Sequence, residues 1–327
     1  MQEMVPVGEL KVGMYVTIPG SWFKHPFVRS RFVVSSQRDI RWLSATGISQ
    51  IPVDLTKSKI ARPKLAENIF SENVKESADR EMISSELMEA LTDRAIPQES
   101  KAYAVKSASK IIMKKLMEKT PDEVMLREAR ESLYEVIDCI LDGDQLNTFL
   151  LTISDHDMYT YTHSVNVGVL SLLLAKKYFG NSDRHNLREL GVGFFLHDLG
   201  KIKIDPAIIN KEGKLTFDEL QAMRRHPLYG FNILNDVNQL TTECKLIILE
   251  HHERVDGSGY PYGLYGGEIH VYARICALVD MYDALTTDRP YRVKMSPFHA
   301  LNIIKSEIPD FIQKSLFENL VQLLGEN

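Results

Sequence analysis

From Thr120 to its C-terminus the chain carries one helix signal after another and little that reads as a strand, which confines this part to an all-α packing. Thr120-Pro121-Asp122-Glu123 supplies an N-cap hydroxyl, a proline at the first helical position and a glutamate at the third, so a helix is expected from there toward Leu141. Helical spacing of apolar residues then runs over 161–178 up to Gly180, and over 186–199 up to Gly200. A Thr216-x-x-Glu219 capping box and further helices over 242–250 and 272–285 follow.

Upstream the signals change. Residues 1–60 hold short β-branched or aromatic runs at 14–17, 32–35 and 51–53, broken by glycine and proline, as in a small β-rich domain. Residues 63–119 turn to Glu, Lys, Ala, Ser and Met and read as a solvated helical connector. At 327 residues the chain is about twice the usual domain size, which suits two parts. The expected fold is mainly α: an all-α helical bundle over 121–327, and a smaller N-terminal β-rich mixed domain with a helical connector over 1–120.

A net charge of -5 leaves no general field for duplex nucleic acid or an anionic membrane. The three cysteines, Cys139, Cys244 and Cys276, form no CxxC pair and sit in apolar or helical contexts, as reduced core residues do. The N-terminus has no cationic-then-apolar leader, and no run of apolar residues is long enough to span a bilayer, so a cytoplasmic protein without a membrane span is expected.

Five of the ten histidines and two aspartates fall at element ends in the helical half: His163, His197-Asp198, His226, His251-His252 and Asp280. One histidine in an apolar helix is usually a satisfied core or surface residue. Together they are imidazole and carboxylate without thiolate, a donor set suited to Fe, Mn, Zn or Ni, and too many for one ion. Two divalent ions sharing a carboxylate such as Asp198 is the arrangement used for phosphoester hydrolysis.

HDLGK, HPLYG, HHERVDGSGYPYGLYGGEI and DMYDALTTDRPYR, in this order and spacing, resemble the HD-GYP subgroup of the HD phosphohydrolase superfamily over residues 121–327. The stretches VPVGELKVGMYV and SWFKHPF resemble the uncharacterised domain often found before HD-GYP domains in bacteria. The resemblance implies an HD-type helical bundle that hydrolyses cyclic dinucleotides in second-messenger signalling, chiefly cyclic di-GMP to pGpG, with further cleavage to GMP in some members. It assigns His163, His197, Asp198 and Asp280 to one metal, and His226, His251 and His252 to a second, with Asp198 bridging; Fe or Mn come first, with Ni or Zn compatible. Asp198 and Lys201 would then serve the chemistry, Lys201 as a phosphate contact. Arg289 and Arg292, at the family's Arg-x-x-Arg/Lys position, would bind the substrate.

The signature loop Gly259-Tyr260-Pro261 would, by the resemblance, shape the site mouth and contact protein partners, and it need not touch the chemistry. Members credited with a third metal carry a glutamate four residues before the first histidine. Here that residue is Tyr159, and a neutral phenol is a poor bridging ligand, so two metals are expected. Alternative readings are a mixed cyclic GMP-AMP phosphodiesterase, a silent cyclic-dinucleotide sensor, and a generic nucleotidase that would leave the HHE and GYP segments without a role.

Overall fold

The computed structural model describes residues 2–7, 10–17, 31–34, 40, 43, 50–54, 82–93, 95–152, 160–180, 182–237, 239, 241–288, 294–311 and 313–325. The chain divides into two compact units, Met1–Glu72 and Asn73–Asn327.

In the first unit, strands β1 (Gln2–Pro6), β2 (Tyr15–Thr17), β3 (Arg31–Val33) and β4 (Gln50–Asp54) form an antiparallel sheet in the order β1-β4-β2-β3. Val16 lies opposite Val53, and both are buried with Ile51, Val34 and Leu43 in a small core. The β1 strand escaped the sequence pattern because it is an edge strand, where glutamine, glutamate and a terminal proline are tolerated.

The second unit opens with α1 (Ser85–Thr92) and α2 (Gln98–Glu118). The α2 helix corrects the expectation of a solvated connector. Ala102, Ala104, Val105, Ala108, Ile112, Met113 and Leu116 are fully buried and belong to the same core as the rest of the bundle. Alanines and the Ile111-Ile112-Met113 run make the buried stripe, while exposed Lys114 and Glu118 supply the polar composition that hid it. The boundary expected near Thr120 therefore lies between two helices of one compact unit.

Helix α3 (Glu123–Asp142) starts two residues later than the sequence suggests. Asp122, not Thr120, is the N-cap, its carboxylate accepting the Met125 N–H at 2.9 Å. The Thr120 hydroxyl instead accepts from Lys203 at 2.8 Å. After α4 (Asp144–Thr152), the centre of the bundle is α5 (Thr160–Phe179) packed on α6 (Leu187–Leu196), with Phe194 and Phe195 fully buried.

The α6 helix also ends earlier than expected, at Leu196, and a short 3-10 turn over Leu199–Lys203 follows. Gly200 lies inside that turn and is there for close approach. A Cβ on it would stand 1.9 Å from the His226 carbonyl oxygen and 2.5 Å from the Gly230 nitrogen. Glycine thus lets the turn lie against α9 (His226–Asn235). Between them come α7 (Pro206–Ile209) and α8 (Phe217–Met223), the latter started by the expected capping box with both halves formed. Helices α10 (Thr242–Glu250), α11 (Val271–Thr286), α12 (Pro297–Phe311) and α13 (Lys314–Gly325) complete the unit.

No helix among the described residues is long and apolar enough to cross a membrane. Cys139, Cys244 and Cys276 are buried and unpaired, and burial pushes the Cys139 and Cys244 thiols up to about 11.

Candidate metal centre

Five chain segments converge at one end of α5. His163 projects from α5, His197 and Asp198 follow α6, His226 opens α9, His251 and His252 follow α10, and Asp280 lies on α11. All seven side chains expected to ligate metal are brought together. Two groups have ligand atoms mutually within 4.8 Å: Asp198 with His226, His251 and His252, and Asp198 with His163 and His197. Asp198 belongs to both. Its Oδ1 is 3.3 Å from His226 Nε2 and 4.0 Å from His251 Nε2, while its Oδ2 is 3.5 Å from both His163 Nε2 and His197 Nε2. Asp280 reaches each side, with Oδ1 3.1 Å from His163 Nε2 and Oδ2 3.9 Å from His252 Nδ1.

The histidines sit at helix ends for a physical reason. Carbonyls in the last turn of a helix lack intrahelical donors. His197 Nδ1 donates to Phe194 O at 2.8 Å, His226 Nδ1 to Met223 O at 2.9 Å, and His251 Nδ1 to Ile247 O and Ile248 O at 3.1 and 3.0 Å. Each carbonyl belongs to the final turn of α6, α8 or α10. With Nδ1–H spent in this way, each ring turns its Nε2 into the centre.

Those nitrogens face one another and a carboxylate. His226 Nε2 and His251 Nε2 are 3.2 Å apart, and burial, with neighbouring cationic groups, pushes His226 down to about 3 and His251 well below the usual imidazole range. His197 Nε2 and Asp198 Oδ1 are buried and have no hydrogen-bond partner among the described residues. Burial works against charge on Asp198, but the Lys201 ammonium, 2.5 Å from Oδ2, and the surrounding imidazoles outweigh it and hold the carboxyl well below its ordinary range. A buried carboxylate faced by the inward Nε2 atoms of His197, His226 and His251 is a donor set suited to cations, so the residues fit a pair of divalent ions.

His163 differs. Its Nδ1 donates to Asp283 Oδ2 at 2.7 Å, and although burial opposes protonation, the Asp280 and Asp283 carboxylates raise it to about 10. Asp283 had not been singled out from the sequence, yet it lies three residues after Asp280 and therefore on the same face of α11, a signal that was available. His252 is lowered to about 4, mainly by burial.

The signature loop packs against the centre. The Tyr260 ring stacks on His252, centroids 4.8 Å apart and planes at 28°, and its backbone N–H donates to His252 O at 3.2 Å. Burial, then Asp198 and Asp280, push its phenol up. Gly259 makes the fold-back possible, since a Cβ there would lie 2.4 Å from Glu253 Cα. Glu253, also missed, is buried and accepts the N–H groups of Tyr262, Gly263 and Leu264 at 2.7, 3.2 and 3.0 Å. Arg289, Arg292 and Tyr159 lie outside the described residues.

Residues 153–310 match the HD domain family, and residues 3–131 match a domain of unknown function, DUF3391. The chain is 32% identical over 305 residues to cyclic di-GMP phosphodiesterase PA4108 of Pseudomonas aeruginosa, covering 89% of this chain and 69% of that protein. It is 35% identical over 223 residues to a cyclic di-GMP phosphodiesterase of Thermotoga maritima, covering 67% of this chain and 56% of the relative. Similarity to the 3'3'-cGAMP-specific phosphodiesterase 3 of Vibrio cholerae is 36% over 168 residues, 51% of this chain and 36% of the relative. Among solved structures, Bd1817, an HDG"Y"P protein from Bdellovibrio bacteriovorus, superposes with a TM-score of 0.60 over 99% of this chain and 100% of its own. At 15% identity that likeness is one of fold.

Proposed function

The chain belongs to the HD domain family, in its HD-GYP group, and from that premise we propose that its buried His/Asp centre hydrolyses cyclic dinucleotides, cyclic di-GMP first, to the linear product pGpG. The observation that carries this reading is the pair of ligand groups sharing Asp198, with imidazole nitrogens turned inward on both sides of it. Two divalent cations, Fe or Mn by donor type with Ni or Zn compatible, would be held by His163, His197, Asp198 and Asp280 and by Asp198, His226, His251 and His252, and when bound would supply Lewis acidity and a water of lowered pKa.

The remaining work belongs to the chain. Lys201, against Asp198, would hold a non-bridging phosphate oxygen and offset the charge developing there. Arg289 and Arg292 would bind phosphate or guanine through planar guanidinium groups. Tyr260, packed on His252, would limit water access from that side. Within this proposal the unit Asn73–Asn327 carries the phosphodiesterase centre and the unit Met1–Glu72 is regulatory. The exposed rings of Tyr262 and Tyr265 just beyond the signature loop would meet protein partners, and the unpaired thiols suit the cytoplasm.

A mixed cyclic GMP-AMP substrate is the second reading, since a Vibrio cholerae relative 36% identical to the chain is named as specific for it. The test is to load purified protein with Mn2+ or Fe2+ and offer cyclic di-GMP, 3'3'-cGAMP and dGTP. Conversion of cyclic di-GMP to pGpG, abolished by chelation, is the expected result. Tight binding without turnover would mean a silent sensor, and turnover of dGTP alone a nucleotidase.

A further inference from the structure

Arg224 stands two residues before His226, at the C-terminal end of α8. Its guanidinium carbon lies 5.4 Å from the centre of the Tyr260 ring, and that ring is stacked on His252. The cation therefore stands beside the same aromatic ring that packs on His252, one member of the group formed by Asp198, His226, His251 and His252. The neighbouring Arg225 is exposed, whereas Arg224 is part-buried. Its Nε is shut off from solvent and has no hydrogen-bond partner among the described residues. No ion pair to Arg224 occurs among them either: Asp198 is engaged by Lys201, and Asp280 by His163 and His252.

A buried guanidinium N–H without an acceptor is unfavourable in a folded protein, and a cation left without a carboxylate partner suits an oxyanion. The planar fork of arginine matches phosphate oxygens, and the Tyr260 ring 5.4 Å from its carbon favours a cation there. We infer that Arg224 is a further substrate-binding residue, held beside Tyr260, whose guanidinium donates to a phosphate oxygen of the bound dinucleotide or its phosphorylated product. This rests on reading the centre as a cyclic-dinucleotide phosphodiesterase.

The test uses the full chain loaded with Mn2+, as wild type and as Arg224→Ala, Arg224→Gln and Arg224→Lys. Three quantities are measured: metal content, binding of inorganic phosphate by calorimetry, and KM with kcat for cyclic di-GMP. Metal content should stay at the wild-type level. The phosphate Kd and the KM should rise together by about tenfold or more in the Ala and Gln variants, and less in Lys, as expected for loss of one charge-assisted contact. If Arg224→Ala does not fold, the Gln and Lys variants decide. Phosphate affinity within about twofold of wild type would overturn the inference, as would metal loss in every variant, which would make Arg224 only a prop for Tyr260. A wild type that binds phosphate but never turns over a cyclic dinucleotide would sink the phosphodiesterase reading, while the phosphate measurements would still judge Arg224.

Discussion

At the scale of single residues, Asp198 is the one side chain shared by both groups of ligands, and its neighbours are arranged around its two oxygens separately. Asp198→Asn keeps the shape and removes the charge. Metal analysis should then find both ions depleted, with cyclic-dinucleotide turnover down at least about 100-fold; full metal load with ordinary turnover would contradict the shared-ligand geometry. Asp283 acts one step back, through His163 Nδ1. Asp283→Asn should weaken metal affinity about 10–100-fold. Because His163 without metal is raised to about 10, it carries a proton at pH 8 that a metal must displace. Calorimetry in buffers of different ionisation enthalpy should therefore detect release of about one proton per chain from the wild type and less from Asp283→Asn. The ligand set was legible because residue type and helix-end position both appear in the primary structure. Asp283 was legible from its spacing to Asp280 but needed the helix face to be weighed. Arg224 and Glu253 were not, because their partners are brought to them by a loop that folds back, and nothing local encodes that return.

At the scale of elements, the centre depends on how closely the turn after α6 approaches α9. Gly200→Ala would drive a methyl group into the main chain of His226 and Gly230, where no flexible side chain can yield. Thermal or denaturant unfolding should show a loss of about 3 kcal/mol, and metal affinity should fall with it because His226 moves. An unchanged melting temperature would mean that the turn relaxes freely. The sequence reading took Gly200 as a helix stop, since a glycine after an apolar run is the usual end signal. The helix ends four residues earlier, at Leu196, and the glycine serves contact. The start of α3 erred in the same local way: Thr120 and Asp122 are both good caps, and propensity alone does not choose between them. The capping box before α8, which has a two-way pattern, was read correctly.

At the scale of the whole molecule, the helical half was legible from repeated start and stop signals, whereas the burial of α2 was not, because its lysines and glutamates outvote its alanines in any composition average. A fragment beginning at Asn73 should unfold cooperatively. One beginning at Pro121 lacks the buried stripe of Ala104, Ala108, Ile112 and Leu116 and should be far less stable or insoluble, which circular dichroism melts of the two would reveal. Stability should also depend on acid. His226 and His252 are lowered to about 3 and 4, so below about pH 6.5 the unfolded chain takes up protons that the folded chain refuses. Chelator-treated protein should therefore lose stability as pH falls from about 6.5 toward 4. Greater stability of the metal-free form at pH 5 than at pH 7.5 would contradict the lowered imidazoles.

The aim of His197, His226 and His251 is set by main-chain carbonyls, which no codon change can delete. His163 alone among the ring ligands with a resolved Nδ1 partner takes its aim from side-chain carboxylates. The ligands are thus heritable in different ways: those three travel with the helical scaffold itself, and His163 is open to tuning by single substitutions on α11.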